Sequence, residues 1–553
     1  MSDDDTESAR ALIAAGAGGF SLLGFGLGAL TLSLNPHLLN DFSDSLFVLL
    51  DFAVAYGLVG TIVGAVSAIG LWLVARASGT VSRILRPIGA AALILAPLLY
   101  FAALPDVGLA EGSLSRIIYS GSTWTLTATG LVVALLIVGL ALSSRALLTG
   151  LAARMGTSLV TLLCALWGGI SVCIVALALT MLRPPMDAKP LADQDPIELS
   201  APEVAPDRVV LLCMDGIDLD EIVLPMVERG ELPNLKSMMT EGSWGPLETL
   251  EPTISPALWT TIITGKSPEE HGILHFYMYS LPGVEAPIHG FPRQTGLNFR
   301  LIPMLDGRFG LDLLTPYAST DRRAPALWNI VGSVYPVGNY RWLVSGPVEE
   351  IRGFNVGGSV HLGRNKGADG ARLDVAPADV YAGISTPELP EIDEDAIRPF
   401  SGPDVEIDFD DPGIFDIVEG LDDPTGYYLP RLIEKYDATF TSAAFYNVDS
   451  VAHHYSAARG QNLPFSNAVE ERYRYADARL GEFLETMGPE TNVIVVSDHG
   501  FDFIVNHHIY APAGSFFARG PAFESGRYVE GLTLYDIAPL VLRLLDLPVA
   551  EDM

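Results

Sequence analysis

A chain of 553 residues with 66 Asp and Glu against 33 Lys and Arg carries a formal net charge of −33, which excludes a nucleic-acid polymer as partner, since phosphate backbones are met by basic side chains. Three cysteines exclude a disulfide framework. The length allows two or three domains, and the composition changes at Leu182, apolar before it and acidic after it.

Five long, uncharged, apolar stretches come first, at 11–34, 52–75, 87–104, 119–142 and 156–182. Each approaches the roughly 20 residues that cross a hydrocarbon core of about 30 Å, so residues 1–182 read as a transmembrane domain of five helices. The leading MSDDDTES is acidic and the run behind it too long for a signal peptide. Gly and Ala in the first two stretches suit close helix packing. Arg10, the trio Arg76, Arg83 and Arg86, and the pair Arg145 and Arg154 fall on one side, against Arg116 alone on the other. By the positive-inside rule the N-terminus is cytoplasmic, and an odd number of spans puts the rest of the chain outside, in a multi-pass membrane protein. Residues 183–208, rich in Pro, Asp and Ala, read as a linker.

RVVLLCMDGID (208–218) is an apolar run that breaks at Asp215-Gly216, the pattern of a buried parallel strand ending in a loop. NVIVVSDHG (492–500) repeats it with Asp498 and His499. PNLKSMM (233–239) and 470–487 have helical spacing between them. Strands alternating with helices predict an α/β domain over 209–553 with a mostly parallel sheet and ligands beyond the carboxyl ends of its strands. The Gly-, Pro- and Asp-rich stretch 276–436 reads as an inserted cap, and its acidic run VEIDFDDPGIFDIVEGLDDP as solvated surface, with calcium binding as the alternative.

In VDSVAHH (448–454), Asp449 and His453 share a helix face at i and i+4. Five of the ten histidines fall in three late stretches: His453 and His454, His499, then His507 and His508. Carboxylate and imidazole mixtures suit zinc, manganese or iron. Ser255, followed by Pro256, is expected at a helix N-cap, where the positive end of the helix also favours phosphate or an alkoxide. Gly265 is expected to end that helix.

Taken in order, MDG, then Ser255 ahead of P-x-x-W-T-x-x-x-T-G-x-x-P-x-x-H-G-I, then D-x-x-x-H, then S-D-H-G, then a late His ahead of A-R-G-P, the sequence resembles the type I phosphodiesterase/nucleotide pyrophosphatase family of the alkaline phosphatase superfamily. The resemblance spans about Val209 to Leu547 and implies an alkaline-phosphatase-like domain with two divalent ions about 4 Å apart, zinc with manganese as the alternative. It implies one ion held by Asp215, Ser255, Asp498 and His499, and the other by Asp449, His453 and either His507 or His508. Ser255 would be the nucleophile that forms a phosphoseryl enzyme, with Thr253 as the alternative. The substrate implied is a phosphodiester-containing small molecule or lipid.

There are departures. Members of this family that cleave nucleotides usually have Thr where Ser255 stands, and an Asn after H-G-I near the position of Phe276. Sulfatases are disfavoured, because their nucleophile is followed by P-x-R whereas Pro256, Ala257 and Leu258 follow here. His271 reads as fixing a loop. Relatives run on past LPVAEDM, which leaves truncation open. The five spans also resemble lipid headgroup transferases, so transfer of a headgroup to an acceptor is the second reading, and a non-catalytic receptor on the same fold the third. The oligomeric state is not legible.

Overall fold

A computed structural model describes residues 3–77, 205–289, 313–358, 374–386, 391–401, 413–421, 425–461, 463–504 and 511–553, with isolated positions between them. It divides into two compact units, Met1–Pro185 with Tyr277–Thr315, and Met186–Phe276 with Pro316–Met553.

In the first unit, helices Asp3–Leu34 and Phe42–Ala77 pack against each other across glycines. A Cβ at Gly24 would fall 2.2 Å from the Phe52 carbonyl oxygen, and one at Gly57 would fall 2.2 Å from Ser21 Oγ. The small residues expected to permit close packing therefore sit at the crossing. Among the described residues one stretch, Phe42–Ile62, is long and apolar enough to cross a membrane, and Phe20–Ala29 is a shorter apolar helix. Five spans are thus not established. The stretches 11–34 and 52–75 lie within the two helices, while 87–104, 119–142 and 156–182 fall outside the described residues. The chain from Tyr277, expected to open the cap, belongs to this unit. Asp44 accepts hydrogen bonds from the Glu285 and Ala286 amides at 2.8 and 3.1 Å, and Asn35 Oδ1 accepts from His289 N–H at 2.7 Å.

The second unit is built on a sheet of ten strands: β1 (Val209–Met214), β2 (Ser243–Glu248), β3 (Val337–Tyr340), β4 (Gly353–Val356), β5 (Val375–Ala376), β6 (Phe440–Phe445), β7 (Asn492–Val496), β8 (Gly514–Arg519), β9 (Arg527–Tyr528) and β10 (Leu532–Thr533). Their order is β9-β2-β8-β7-β1-β6-β3-β4-β5, with β10 beside β2. Strands β7, β1, β6, β3 and β4 run parallel, and β8 is antiparallel to both of its neighbours. This is the α/β, mostly parallel sheet expected. Part of the stretch read as a cap is instead sheet, since β3, β4 and β5 form one edge of it. Their short segments, two with glycine inside or at the start, lack the continuous apolar run that marks β1 and β7, so the sequence pattern hid them.

Strand β1 is buried along its whole length, as VVLLCM requires of a central strand covered on both faces. The helix Ala468–Met487 covers one face, burying Val469, Tyr473, Leu480, Phe483 and Leu484 in the core with β1 and β7. Asp477 on this helix ties down a second one: its Oδ1 accepts from Leu235 N–H at 2.7 Å and its Oδ2 from Asn234 N–H at 3.1 Å. Those are orphan amides in the first turn of Pro233–Glu241, and the carboxylate satisfies them.

Candidate active site

Three neighbouring parallel strands end in register, with Met214 of β1 opposite Phe445 of β6 and Cys213 opposite Val496 of β7. The loops that follow therefore emerge side by side, where α/β sheets bind ligands. β1 delivers Asp215, β6 leads into the helix Asn447–Tyr455 with Asp449 in its first turn, and β7 delivers Asp498 and His499. All four are buried, with Asp498 and His499 completely so.

Gly216 makes the convergence possible. Its φ is +74°, and a Cβ there would fall 2.7 Å from the Asp449 Cβ. Only glycine combines that backbone with that approach. A polar network then holds the β1 and β7 loops together. Ser497 Oγ accepts from Ile217 N–H and donates to the His499 carbonyl, each at 2.8 Å. Asp218 accepts from the Phe501 and Glu221 amides at 3.0 and 2.7 Å, and the Tyr473 hydroxyl donates to the Gly216 carbonyl at 3.0 Å. The sequence reading missed Asp218, Ser497 and Tyr473. Asp218 had a signal, an Asp directly ahead of a helical turn.

The helix Ser255–Thr264 starts one residue earlier than expected, with Ile254 at its N-cap. The Ile254 carbonyl takes the Ala257 and Leu258 amides at 2.9 and 3.2 Å. The Ser255 side chain makes no capping bond, and its hydroxyl lies 3.3 Å from His499 Nε2. Gly265 ends the helix in the left-handed conformation, as expected. Thr253, the alternative nucleophile, already donates its hydroxyl to the His508 carbonyl. His271 is buried; its Nδ1 accepts from Ile273 N–H and its Nε2 donates to Thr261 Oγ1, both at 3.1 Å, so it pins the loop that carries it.

His499 Nε2 lies 3.3 Å from Asp215 Oδ1 and 3.6 Å from Asp498 Oδ2. His508 Nε2 lies 3.8 Å and His453 Nε2 3.3 Å from Asp449 Oδ2. The His499 and His508 rings stack at 3.9 Å. Ligand atoms within 4.8 Å of one another form two triads, Asp215, Asp498 and His499, and Asp449, His499 and His508. His499 is common to both, and His453 stands beside the second through Asp449. His507 lies outside the described residues. His454 points elsewhere, its Nε2 2.9 Å from Asp416 Oδ2.

These residues fit a divalent cation on two grounds. Asp215 Oδ1, Asp449 Oδ1 and both oxygens of Asp498 are buried without a hydrogen-bond partner, a costly arrangement for carboxylates. His499 Nδ1 lies 2.8 Å from the Gly500 carbonyl, which can only accept, so the proton sits on Nδ1 and Nε2 offers a lone pair, 3.3 Å from the Ser255 hydroxyl. That lone pair faces the Asp215 and Asp498 oxygens, where either a proton held by the acids or a cation between them satisfies it.

The electrostatics agree. Burial pushes the Asp215 carboxyl well above the usual carboxylate range, and the charges of Asp498 and Asp449 add to it. Burial also raises Asp498, to about 7. Asp449 goes the other way: burial opposes ionisation, but His453 and His508 outweigh it and hold the carboxyl below its ordinary value. Burial lowers His499, and lowers His508 to about 4, the neighbouring His499 contributing next. Both histidines are thus neutral near pH 7, the form that could bind a cation.

A mostly parallel sheet with this Asp–His–Ser cluster at its strand ends is similar to one family of phosphoesterases over part of the chain. The family model for type I phosphodiesterase / nucleotide pyrophosphatase matches residues 209–298 and 370–519. No curated protein matches the sequence. Among solved structures, phosphonoacetate hydrolase from Sinorhizobium meliloti 1021, in complex with phosphonoformate, is similar at 16% identity and a TM-score of 0.32, covering 56% of this chain and 60% of its own. Murine ectonucleotide pyrophosphatase / phosphodiesterase 5 in complex with AMP is similar at 13% identity and a TM-score of 0.36, covering 63% and 97%. The human counterpart gives 14% identity, a TM-score of 0.34, and coverage of 63% and 96%.

Proposed function

We propose that the chain is a membrane-anchored phosphodiesterase that uses two divalent cations, zinc first, and Ser255 as nucleophile, on a phosphodiester-containing small molecule or lipid outside the cytoplasm. The observation that carries this reading is the unprotonated Nε2 of His499, which faces two buried acids and lies 3.3 Å from Ser255 Oγ. One ion would take Asp215, Asp498, His499 and Ser255, and the other Asp449, His453 and His508. The arginine bias of the N-terminal loops and the apolar stretches before Leu182 support the anchoring and the outward orientation.

Bound cations would lower the pKa of the Ser255 hydroxyl and of an entering water, and offset charge on the phosphoryl oxygens. Ser255 sits at the first turn of a ten-residue helix with its hydroxyl turned to His499 Nε2, among the groups that would hold the cation. Its Oγ forms a bond to phosphorus in line as the bond to the leaving oxygen breaks, and the serine proton passes to solvent. Water then attacks phosphorus, releasing the phosphoryl group and restoring the hydroxyl. Thr253, held by the His508 carbonyl, anchors that loop. Phe276 offers no hydrogen bond to a phosphoryl oxygen, so Asn in nucleotide-cleaving members has no counterpart at that position.

The test is release of nitrophenol from bis- and mono-nitrophenyl phosphate by the full chain with zinc or manganese, beside Ser255→Ala. Diester turnover that disappears in the variant is expected. Folded, metal-loaded protein that turns over neither ester would overturn hydrolysis and leave headgroup transfer.

A further inference from the structure

The helix Asn447–Tyr455 presents Asp449 and His453 to the site from one face, and another segment grips its far end. Asp416 Oδ2 lies 2.9 Å from His454 Nε2. The Tyr455 hydroxyl donates to Asp411 Oδ1 at 3.2 Å, and the same oxygen accepts Gly413 N–H at 2.8 Å. Gly413 comes so close that a Cβ there would fall 2.7 Å from the Tyr455 hydroxyl and 2.9 Å from the His454 Cβ. Beneath these polar links Ile417 packs with Val451 and Tyr455, and buried Arg472 donates to the Ile417 carbonyl at 2.7 Å. The acidic run read as solvated surface therefore contributes a brace.

We propose that Asp416, acting through His454, is a positioning residue that sets the rotation of this helix and so the placement of Asp449 and His453 around their cation; the inference rests on the two-cation reading above. A helix of nine residues does not hold itself in place. Turning it by about 10° carries a carboxylate oxygen about 6 Å from its axis through about 1 Å. Metal–ligand distances tolerate about 0.2 Å, so the rotation has to be fixed from outside. His454 is next in sequence to His453, and its anchor lies on a separate stretch of chain, Ile414–Leu421. The pair thus pins the helix at the turn that carries the ligand. His454 had no role in the sequence reading, and Asp416 supplies one.

The test measures binding of zinc alone to the metal-stripped full chain, by competition with a chromophoric chelator. Asp416→Ala, His454→Ala, their double variant and Asp416→Asn are compared with wild type. His454 is half-exposed, so its truncation leaves the core intact even if Asp416→Ala fails to fold. Wild type is expected to bind two ions. Either alanine variant should weaken one of them by about tenfold, the low end for groups that orient metal ligands. The double variant should lose no more than the weaker single, and Asp416→Asn, which still accepts from His454, should recover most of the affinity. Two ions held with wild-type affinity in His454→Ala would overturn the positioning role. No zinc bound by wild type would instead overturn the two-cation reading itself.

Discussion

Gly216 lies against Asp449, with room for no side-chain atom between the backbone of the β1 loop and the Asp449 Cβ. Gly216→Ala therefore meets two penalties, a left-handed φ of +74° and a direct clash with a candidate ligand. We expect a loss of about 1–3 kcal/mol in denaturant unfolding, the usual cost of such strain. Zinc affinity should fall as well, because relief of the clash displaces Asp449. Retention of both stability and affinity would show that the two loops are not in contact.

Ser255 and Thr253 separate chemistry from support. Ser255→Ala should reduce diester turnover by at least about a thousandfold, the scale of losing a nucleophile, with little change in melting temperature. Thr253→Val should instead lower stability by about 0.5–1.5 kcal/mol, since it removes one of two donors to the His508 carbonyl and leaves the Ala511 amide as the other. The reverse pattern would make Thr253 the nucleophile.

The pH dependence of metal uptake follows from the buried acids. Asp215 is raised well above its usual range and Asp498 to about 7, so the metal-free native state holds protons that the unfolded chain sheds above about pH 4. Their contribution to stability is complete below that pH; the Asp498 share is lost as pH rises through about 7, and the Asp215 share as pH rises through its own raised pKa. Asp498→Asn mimics the protonated form and should equal metal-free wild type at pH 5, but exceed it in stability at pH 8. Zinc binding by wild type should release protons, seen as a buffer-dependent heat of binding. An identical pH profile for the two metal-free proteins would contradict the shift.

His271 predicts acid sensitivity of the opposite sign. Burial holds its pKa down to about 3, so the unfolded chain binds a proton below about pH 6.5 that the native state refuses. Stability attributable to it is present above that pH and drains away as pH falls toward 3, by about 3–5 kcal/mol in all. His271→Gln should unfold more easily at pH 7, having lost the Ile273 and Thr261 bonds, but its stability should fall less steeply with acid. Equal slopes would show that His271 titrates normally.

What was legible in the sequence was whatever ran along one stretch of chain. β1 and β7 declared themselves by continuous apolar runs that end in Asp, because a strand covered on both faces has little use for polar side chains. β6, with Thr441 and Ser442 in FTSAAF, carries no such signature and was not foreseen, though it leads into Asp449. The Ser255 helix was legible to within one residue, but the absence of a capping bond was not, since that depends on His499 across the fold. That His508 faces Asp449 follows only from the tertiary structure, as does the brace from Asp416, because spacing along one stretch of sequence says nothing of which distant segment it meets.

The central position of β1 has a consequence for how the chain matures. It is the first strand of the sheet to be made, yet both of its neighbours, β6 and β7, lie far downstream; the Ile217–Ser497 bond that ties the β1 loop to the β7 loop joins residues 280 apart. During synthesis its six apolar residues wait without partners, exposed to aggregation until the last fifth of the chain arrives. The ligands come together only at that late step. On the two-cation reading, metal loading would be a terminal event in biogenesis, preceded by a long, sticky, metal-free intermediate.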